Sequence, residues 1–205
     1  MVTPAPPEPF EAQELTLGAG SAIYRVAGSS RPANEFNPGI GAPTRFAFFG
    51  DPPVPALYAA QSEVAAVCET MLHDIPATGG SLLPHAYRTR LAAKLTVALD
   101  LRLASLMGTG LRTLRIEARD ITDSDPTTYP ETVRWAEAAH RAGFDGLAWM
   151  SKRCNTDRAY VLFGDRVTPD DLPISPDYAR VFAAGPDLDW LVDLCTPLHI
   201  EVLVR

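Results

Sequence analysis

One glutamate on a short predicted helix is the residue in this chain best suited to acid, base or electrostatic chemistry. Ser62 is a suitable N-cap and Glu63 a suitable first-turn acid, so the sequence predicts a helix that begins after Ser62. Glu69 shares a face with Ala65 and Leu72, because residues three and four apart lie on the same side of a helix. An isolated carboxylate among apolar side chains is unfavourable. Glu69 is therefore either half of a structural ion pair or a residue retained for chemistry.

Two arginines upstream could supply positive charge near this carboxylate. Arg25 lies in the apolar stretch 22–26, which is typical of a short strand. Arg45 follows a loop rich in Pro and Gly and precedes the aromatic cluster 46–49. Taken singly, each arginine is as often a surface or salt-bridge residue. Two guanidinium groups near one carboxylate would instead suit a substrate that carries a pyrophosphate and a sugar, because their planar donors match phosphate oxygens in pairs.

Several short motifs occur in an order that resembles the RES domain family, named for its arginine, glutamate and serine. The motifs are Tyr24-Arg25, Arg45 followed by aromatics, Leu57-Tyr58-Ala59 leading into Glu69, and Asp145-Gly146-Leu147-Ala148-Trp149 ending at Ser151. The resemblance extends over residues 22–167. Members of this family resemble ADP-ribosyltransferase toxins in fold. Those characterised act mainly as toxins of toxin-antitoxin pairs, and they consume NAD or use it to modify a protein.

The resemblance implies roles for five residues. Glu69 would be the catalytic carboxylate, and Arg25 and Arg45 would bind the NAD phosphates and ribose. Tyr58 would place its ring beside the nicotinamide, and Ser151 would line the same cleft as a polar group that helps to place the acceptor. Arg25 and Ser151 would thus act with Glu69 in catalysis.

The resemblance also implies a reaction and partners. NAD would be the substrate, no metal would be used, and the bond between nicotinamide and ribose would break by phosphorolysis, hydrolysis or ADP-ribosyl transfer. The acceptor would accordingly be inorganic phosphate, water or a protein side chain. A cognate antitoxin of the Xre type would be the protein partner, and a homo-oligomer is compatible with the sequence.

One motif departs from the family pattern. Pro43-Thr44-Arg45-Phe46-Ala47 stands where the family often has Gly-Gly-Arg-Trp-Asn. The arginine and an aromatic residue remain, but the glycines that allow close backbone approach are missing. This difference is the basis of the alternative function, a non-catalytic RES-like module that binds a protein partner.

The fold class expected for these residues is α+β: a single domain like that of ADP-ribosyltransferases, with mixed or antiparallel sheets flanked by short helices. Pro130 opens a predicted helix that stops before Gly143. The strand Leu147–Met150 then leads to Ser151, and Ala159–Phe163 is its predicted hairpin partner. The apolar run Leu95–Leu99 fits either a strand or the start of a buried helix.

Composition at the two ends of the chain and the extent of the family resemblance between them divide the chain into three predicted parts. Residues 1–20 form a Pro-rich N-terminal arm, expected to be extended and mobile, and residues 21–168 form the catalytic domain. Residues 169–205 form a C-terminal extension packed on that domain, with a short helix around Asp187–Leu194 and a strand at His199–Val204. That strand could be an ordinary sheet edge or a partner-binding edge.

The loop Gly28–Thr44 lies between the two candidate arginines. Long loops in compact domains are often functional. It is therefore expected to be either a lid over the site or a disordered connection.

Charge and composition exclude several other classes. A net charge of −7 and a pI near 5.0 argue against a general nucleic-acid binder, so an anionic substrate would need a local basic cleft. Three cysteines fit a reducing compartment better than a disulfide framework. The N-terminus lacks the pattern of a signal peptide and no apolar run is long enough for a membrane span, which predicts a cytoplasmic protein with no membrane partner. Rossmann, Walker, zinc and nucleophile-elbow motifs do not occur.

Overall fold

An eight-stranded sheet runs through the protein, which the structure, a computed structural model, describes over residues 3–204. The strands are β1 (Glu14–Leu17), β2 (Ala22–Gly28), β3 (Ala56–Ala60), β4 (Gly80–Leu82), β5 (Arg90–Thr96), β6 (Leu101–Ser105), β7 (Gly146–Met150), β8 (Arg158–Phe163), β9 (Ile174–Val181) and β10 (Ile200–Val202). The helices are α1 (Glu63–Thr70), α2 (Pro84–Tyr87), α3 (Thr109–Thr113), α4 (Ala118–Ile121), α5 (Tyr129–Arg141) and α6 (Pro186–Cys195). The predicted α+β class, one domain with a mixed sheet and short helices, is confirmed.

The sheet has the strand order β1-β6-β7-β8-β3-β2-β5-β9. Only β6 and β7 are parallel neighbours, and the other pairs are antiparallel. A separate small sheet joins β10 to β4 in parallel. The edge strands β1 and β9 lie in the predicted arm and the predicted C-terminal extension, so those two segments complete the same sheet as the central strands.

The sheet opens between β2 and β3. These strands pair only at Tyr24 and Ala60, whereas β2 pairs with β5 from Ala22 to Gly28 and β3 pairs with β8 along its whole length. At the other end of β3, Ala56 exchanges two backbone hydrogen bonds of 2.9 Å with Asn37 of the preceding loop. The separation of β2 from β3 leaves a cleft in the middle of the sheet.

The N-terminal arm differs from the mobile segment expected of it. It is extended, but it lies against α4 and α5: the Thr3 hydroxyl donates to the Asp120 carbonyl at 2.9 Å, and the indole nitrogen of Trp135 donates to the Pro4 carbonyl at 2.8 Å. The Phe10 ring packs edge-on against Trp135. Trp135 is fully buried, so the arm covers one end of the core.

Most predicted elements are present with small shifts. The helix predicted from Pro130 is α5, and the strands predicted at 147–150 and 159–163 are β7 and β8, which pair antiparallel as predicted. The run 95–99 contains the end of strand β5 and not a helix. The predicted C-terminal helix and strand are α6 and β10. None of the helices in residues 3–204 is long and apolar enough to cross a membrane.

Candidate active site

Helix α1 carries Glu69 and begins where the sequence predicts. The Ser62 hydroxyl accepts a hydrogen bond from the Ala65 amide at 3.1 Å and donates one to the Asp157 carboxylate at 2.8 Å. The helix therefore has a satisfied N-cap that is tied to the segment after β7. Its residues 65–68 are buried against the sheet, and Glu69 follows them at the edge of the buried face.

Ser151 holds the Glu69 carboxylate in place. The Ser151 hydroxyl donates to Glu69 Oε1 at 2.6 Å and accepts from the Cys154 amide at 3.2 Å. Ser151 follows β7 directly and is fully buried. It lies behind Glu69 and outside the cavity wall, which differs from the cleft-lining position that the family resemblance implies. Its contact with the site is made through the carboxylate.

A cavity of about 670 Å³ lies where β2 and β3 separate. Arg25 comes to its wall from β2, Tyr58 from β3, Glu69 from α1 and Arg45 from the loop before β3. Four of the five candidate residues therefore line one cavity, and the fifth, Ser151, touches it through Glu69. Their catalytic and binding roles stay predictions.

Tyr58 offers its ring to the cavity while its hydroxyl is already engaged. The hydroxyl forms a hydrogen bond with the Thr44 hydroxyl at 2.9 Å and accepts one from the Phe46 amide at 3.1 Å. Burial raises the pKa of the Tyr58 phenol to about 12, although these hydrogen bonds and the Arg45 charge oppose the increase. Tyr58 is thus neutral near pH 7, where it can stack on a ligand but cannot serve as a base.

Thr44 occupies the place of a family glycine and has a structural task. Thr44 and Ala47 exchange backbone hydrogen bonds of 2.8 and 3.4 Å, which close a tight turn around Arg45. The Thr44 hydroxyl contacts Tyr58 from within this turn. In this turn, the Thr44 side chain fixes the position of the Tyr58 hydroxyl. The turn lacks the glycines that would let the backbone come close to a ligand.

Arg45 lines the cavity and lies beside the first turn of α5. Its central carbon lies 5.7 Å from the centre of the Tyr129 ring, at the start of α5. Its Nε is buried and has no hydrogen-bond partner among residues 3–204. The Arg45 carbonyl accepts a hydrogen bond from the Thr132 hydroxyl, which fixes the backbone on the same helix. A buried, unpaired guanidinium nitrogen is a donor that a ligand oxygen could satisfy.

Arg25 has a structural contact that the sequence does not show. Its Nη1 donates to the carbonyls of Ala33 at 2.8 Å and Glu35 at 2.7 Å, so it ties back the loop between the two arginines. Burial lowers the pKa of the Arg25 guanidinium to about 10, and the Glu35 carboxylate partly offsets this. The side chain remains charged at neutral pH. It both lines the cavity and holds the loop that closes one side of it.

The residues that line the cavity carry a net positive charge, although the chain as a whole is acidic. Its charged lining residues are Arg25, Arg45, Lys152 and Arg153 on the positive side and Glu69, Asp74 and Asp125 on the negative side. Four positive and three negative charges leave an excess of one positive charge, against −7 for the chain. An anionic ligand with one electron-poor centre fits this distribution, since the arginines attract its anion and Glu69 faces its positive part.

His73 lines the cavity near Glu69, and both its ring and its carbonyl are engaged with neighbouring residues. The His73 ring is paired with Asp74 at 3.1 Å, and its carbonyl accepts two hydrogen bonds from Arg153 at 2.9 and 3.1 Å. Within residues 3–204, no group of three or more His, Cys, Asp or Glu side chains is placed to hold a metal ion.

Three residues of the site were given no role from the sequence. Tyr129 lies under Arg45, Thr44 binds Tyr58, and Trp149 lines the cavity from β7. Trp149 belongs to a recognised motif and follows Leu147 by two positions, so strand alternation could have placed it on the buried face. Tyr129 and Thr44 carry no local signal, because their contacts depend on how α5 and the loop pack.

Fold and cavity together define an α+β domain with a candidate active site that combines two arginines, a tyrosine ring and a carboxylate held by a serine. The model of the RES domain family matches residues 22–183, and the chain belongs to this family. Among solved structures, it is similar to a chain of the M. tuberculosis MbcT-MbcA toxin-antitoxin complex, with a TM-score of 0.55 and 19% sequence identity over 80% of this chain and 85% of that one. That likeness shows a shared fold. A search of curated proteins found no match.

Proposed function

We propose that this protein is a toxin-type enzyme that acts in the cytoplasm and consumes NAD by cleaving the bond between nicotinamide and ribose. The observation that carries the proposal is the Glu69 carboxylate, held by Ser151 at 2.6 Å on the wall of a cavity that two arginines and Tyr58 also line. Membership of the RES domain family supports it. The shared fold with a chain of a toxin-antitoxin complex supports the further proposal that a cognate antitoxin neutralises it.

Glu69 supplies the electrostatic part of the mechanism. Cleavage of the glycosidic bond leaves positive, oxocarbenium-like charge on the ribose, and a nearby carboxylate stabilises that charge. Ser151 occupies Oε1, which leaves Oε2 for the ribose. Because the serine is buried and itself bound by the Cys154 amide, the carboxylate is held in one orientation before the substrate arrives.

The remaining residues position the substrate. Arg45 and Arg25 bind the pyrophosphate, and the Tyr58 ring packs beside the nicotinamide. Such positioning matters because an error of about 1 Å can reduce the rate by about 10²-fold. The acceptor of the ADP-ribosyl group is water, inorganic phosphate or a protein side chain, corresponding to glycohydrolase, phosphorylase or transferase activity.

The test is the loss of NAD over time with purified protein, with and without inorganic phosphate. Glu69→Gln is the variant, and Glu201→Gln, at the exposed middle position of β10, is the matched control. We expect loss with the wild-type protein and Glu201→Gln but not with Glu69→Gln. Acceleration by phosphate would identify phosphorolysis. Label transfer from NAD to proteins of a cell extract would identify ADP-ribosylation, and inactivity in all three assays would overturn the proposal in favour of a protein-binding module.

Growth of an expressing host tests the toxin. We expect arrest on expression of the wild-type chain, relief by Glu69→Ala with the protein still folded, and relief by co-expression of a cognate antitoxin. Cells that grow normally with soluble wild-type protein would contradict the toxin assignment.

A further inference from the structure

One buried donor in the cavity wall has no partner in the protein. Trp149 is 2% exposed, and its Nε1 forms no hydrogen bond with any residue of 3–204. Buried indole nitrogens usually find an acceptor, as the fully buried Trp135 does with the Pro4 carbonyl at 2.8 Å. Trp149 is also a cavity-lining residue, whereas Trp135 is not. An acceptor for Trp149 can therefore come from a ligand.

The surroundings of Trp149 select an uncharged acceptor. The Phe46 ring lies 5.1 Å from the Trp149 ring and the Tyr58 ring lies 6.2 Å away, both edge-on, and Ala159 is its partner across β8. These neighbours are apolar toward the indole, and the Tyr58 hydroxyl is already engaged elsewhere. An anion here would lose its hydration among these aromatic side chains. A neutral carbonyl oxygen would gain one hydrogen bond and keep its ring among aromatic side chains.

We propose that Trp149 recognises the leaving group: its indole N–H donates to the carboxamide oxygen of nicotinamide, whose ring lies beside Tyr58. This inference rests on the proposed NAD-consuming function and adds to it the residue that recognises the nicotinamide. When the glycosidic bond breaks, its electron pair moves to the ring nitrogen of nicotinamide, while the carboxamide stays intact. The hydrogen bond therefore holds the ring both before and after cleavage. Dinucleotides whose base lacks a carbonyl acceptor lose this contact.

A pair of matched variants tests the contact. Trp149→Phe removes the N–H and keeps an aromatic ring, and Trp135→Phe removes an indole N–H outside the cavity. We expect the kcat/KM for NAD to fall about three- to tenfold with Trp149→Phe, the range for one neutral hydrogen bond, and to stay unchanged with Trp135→Phe. Thermal unfolding of each variant shows whether its fold is retained.

Two NAD analogues separate this hydrogen bond from ring packing. The 3-acetylpyridine analogue keeps the carbonyl acceptor, and the 3-aminopyridine analogue lacks it. We expect Trp149→Phe to weaken binding of the first by the same factor as NAD and to leave binding of the second unchanged. An equal loss for both analogues, or no loss for NAD, would overturn the inference while the NAD-consuming function stands. A wild-type protein that neither binds nor consumes NAD would overturn the proposed function itself.

A measurement on the unchanged Trp149 side chain tests the inference even if Trp149→Phe does not fold. The protein has three tryptophans, so their indole N–H resonances can be resolved after ¹⁵N labelling and assigned with Trp135→Phe and Trp190→Phe. Saturating NAD is added to Glu69→Gln protein, which we expect to bind NAD without consuming it. We expect the Trp149 resonance to move downfield while that of Trp135 stays in place. Saturation that leaves the Trp149 resonance unmoved would overturn the inference.

Discussion

Ser151 and Glu69 form a hydrogen bond of 2.6 Å although 82 positions separate them in the sequence. Ser151 directly follows strand β7 and Glu69 lies in the last turn of helix α1, so the contact exists only because both elements pack at the same end of the sheet. The Ser151 hydroxyl also accepts a hydrogen bond from the Cys154 amide, so it links the turn after β7 to the Glu69 carboxylate. We interpret Ser151 as a residue that positions Glu69.

Replacing Ser151 by Ala should therefore reduce activity more than stability. The change leaves Glu69 Oε1 and the Cys154 amide without their partner, and we expect kcat for NAD loss to fall about 10- to 100-fold because the carboxylate loses its fixed orientation. Ser62→Ala is the control: it removes the N-cap of the same helix and should lower the free energy of unfolding by about 1 kcal/mol with little effect on kcat. Equal effects on kcat would show that Ser151 only supports the helix.

Arg45 should not be replaceable by lysine. A lysine ammonium keeps the charge but lacks the buried Nε and the planar donors that match phosphate. We expect Arg45→Lys to weaken NAD binding about tenfold or more, as measured by calorimetry, and Arg45→Ala to do so at least as strongly. Arg112→Ala changes an exposed arginine outside the cavity and should bind NAD normally. Normal binding by Arg45→Lys would argue that charge alone matters.

Removing the Arg25 side chain should loosen the loop between the two arginines. Arg25→Ala deletes the donor to the Ala33 and Glu35 carbonyls, and we expect faster amide hydrogen exchange in residues 29–37 together with weaker NAD binding. Arg31→Ala removes only an exposed ion pair with Glu35 at 3.1 Å, so it should change neither property measurably. Unchanged exchange in Arg25→Ala would show that other contacts hold the loop.

Tyr58 should contribute stability that disappears at alkaline pH. Folding raises the pKa of its phenol from 10.0 to about 12, so the folded state keeps a proton that the unfolded state releases. The contribution is complete below pH 10 and declines as the pH rises through about 12. We expect Tyr58→Phe to unfold more easily than wild type at pH 8, and the difference between their free energies of unfolding to narrow from pH 10 upward. If the difference between the two free energies of unfolding stayed constant above pH 10, the raised pKa of Tyr58 would be contradicted.

Gly146 should tolerate no side chain, although it is not in the cavity. A Cβ at this position would lie 2.1 Å from the Val161 carbonyl oxygen on the neighbouring strand, so Gly146→Ala must push β7 and β8 apart. We expect a loss of about 2 kcal/mol or more in the free energy of unfolding, measured by chemical denaturation. Gly28→Ala at the end of β2 meets no atom within 4 Å and should change stability little. This close approach explains why the motif before Ser151 contains glycine.

The local elements were predictable because their signals are local. The Ser62 cap, the apolar runs of β7 and β8 and the proline that opens α5 depend on neighbouring residues, and the structure confirms each of them. Contacts between distant segments were not predictable in this way. Thr44 with Tyr58 and Arg45 with Tyr129 depend on the path of the loop and the docking of α5, for which a single sequence holds no periodic signal.

The sequence by itself determined the α+β class, the order of most elements and, through the order of its motifs, membership of the RES domain family. Only the tertiary structure decided that β2 and β3 separate to form the cavity, that the N-terminal arm packs on the core, and that Ser151 lies behind Glu69. The physical reason is the range of the forces involved. Propensity, capping and alternation act within a few residues, whereas strand separation and side-chain convergence depend on the packing of the whole sheet.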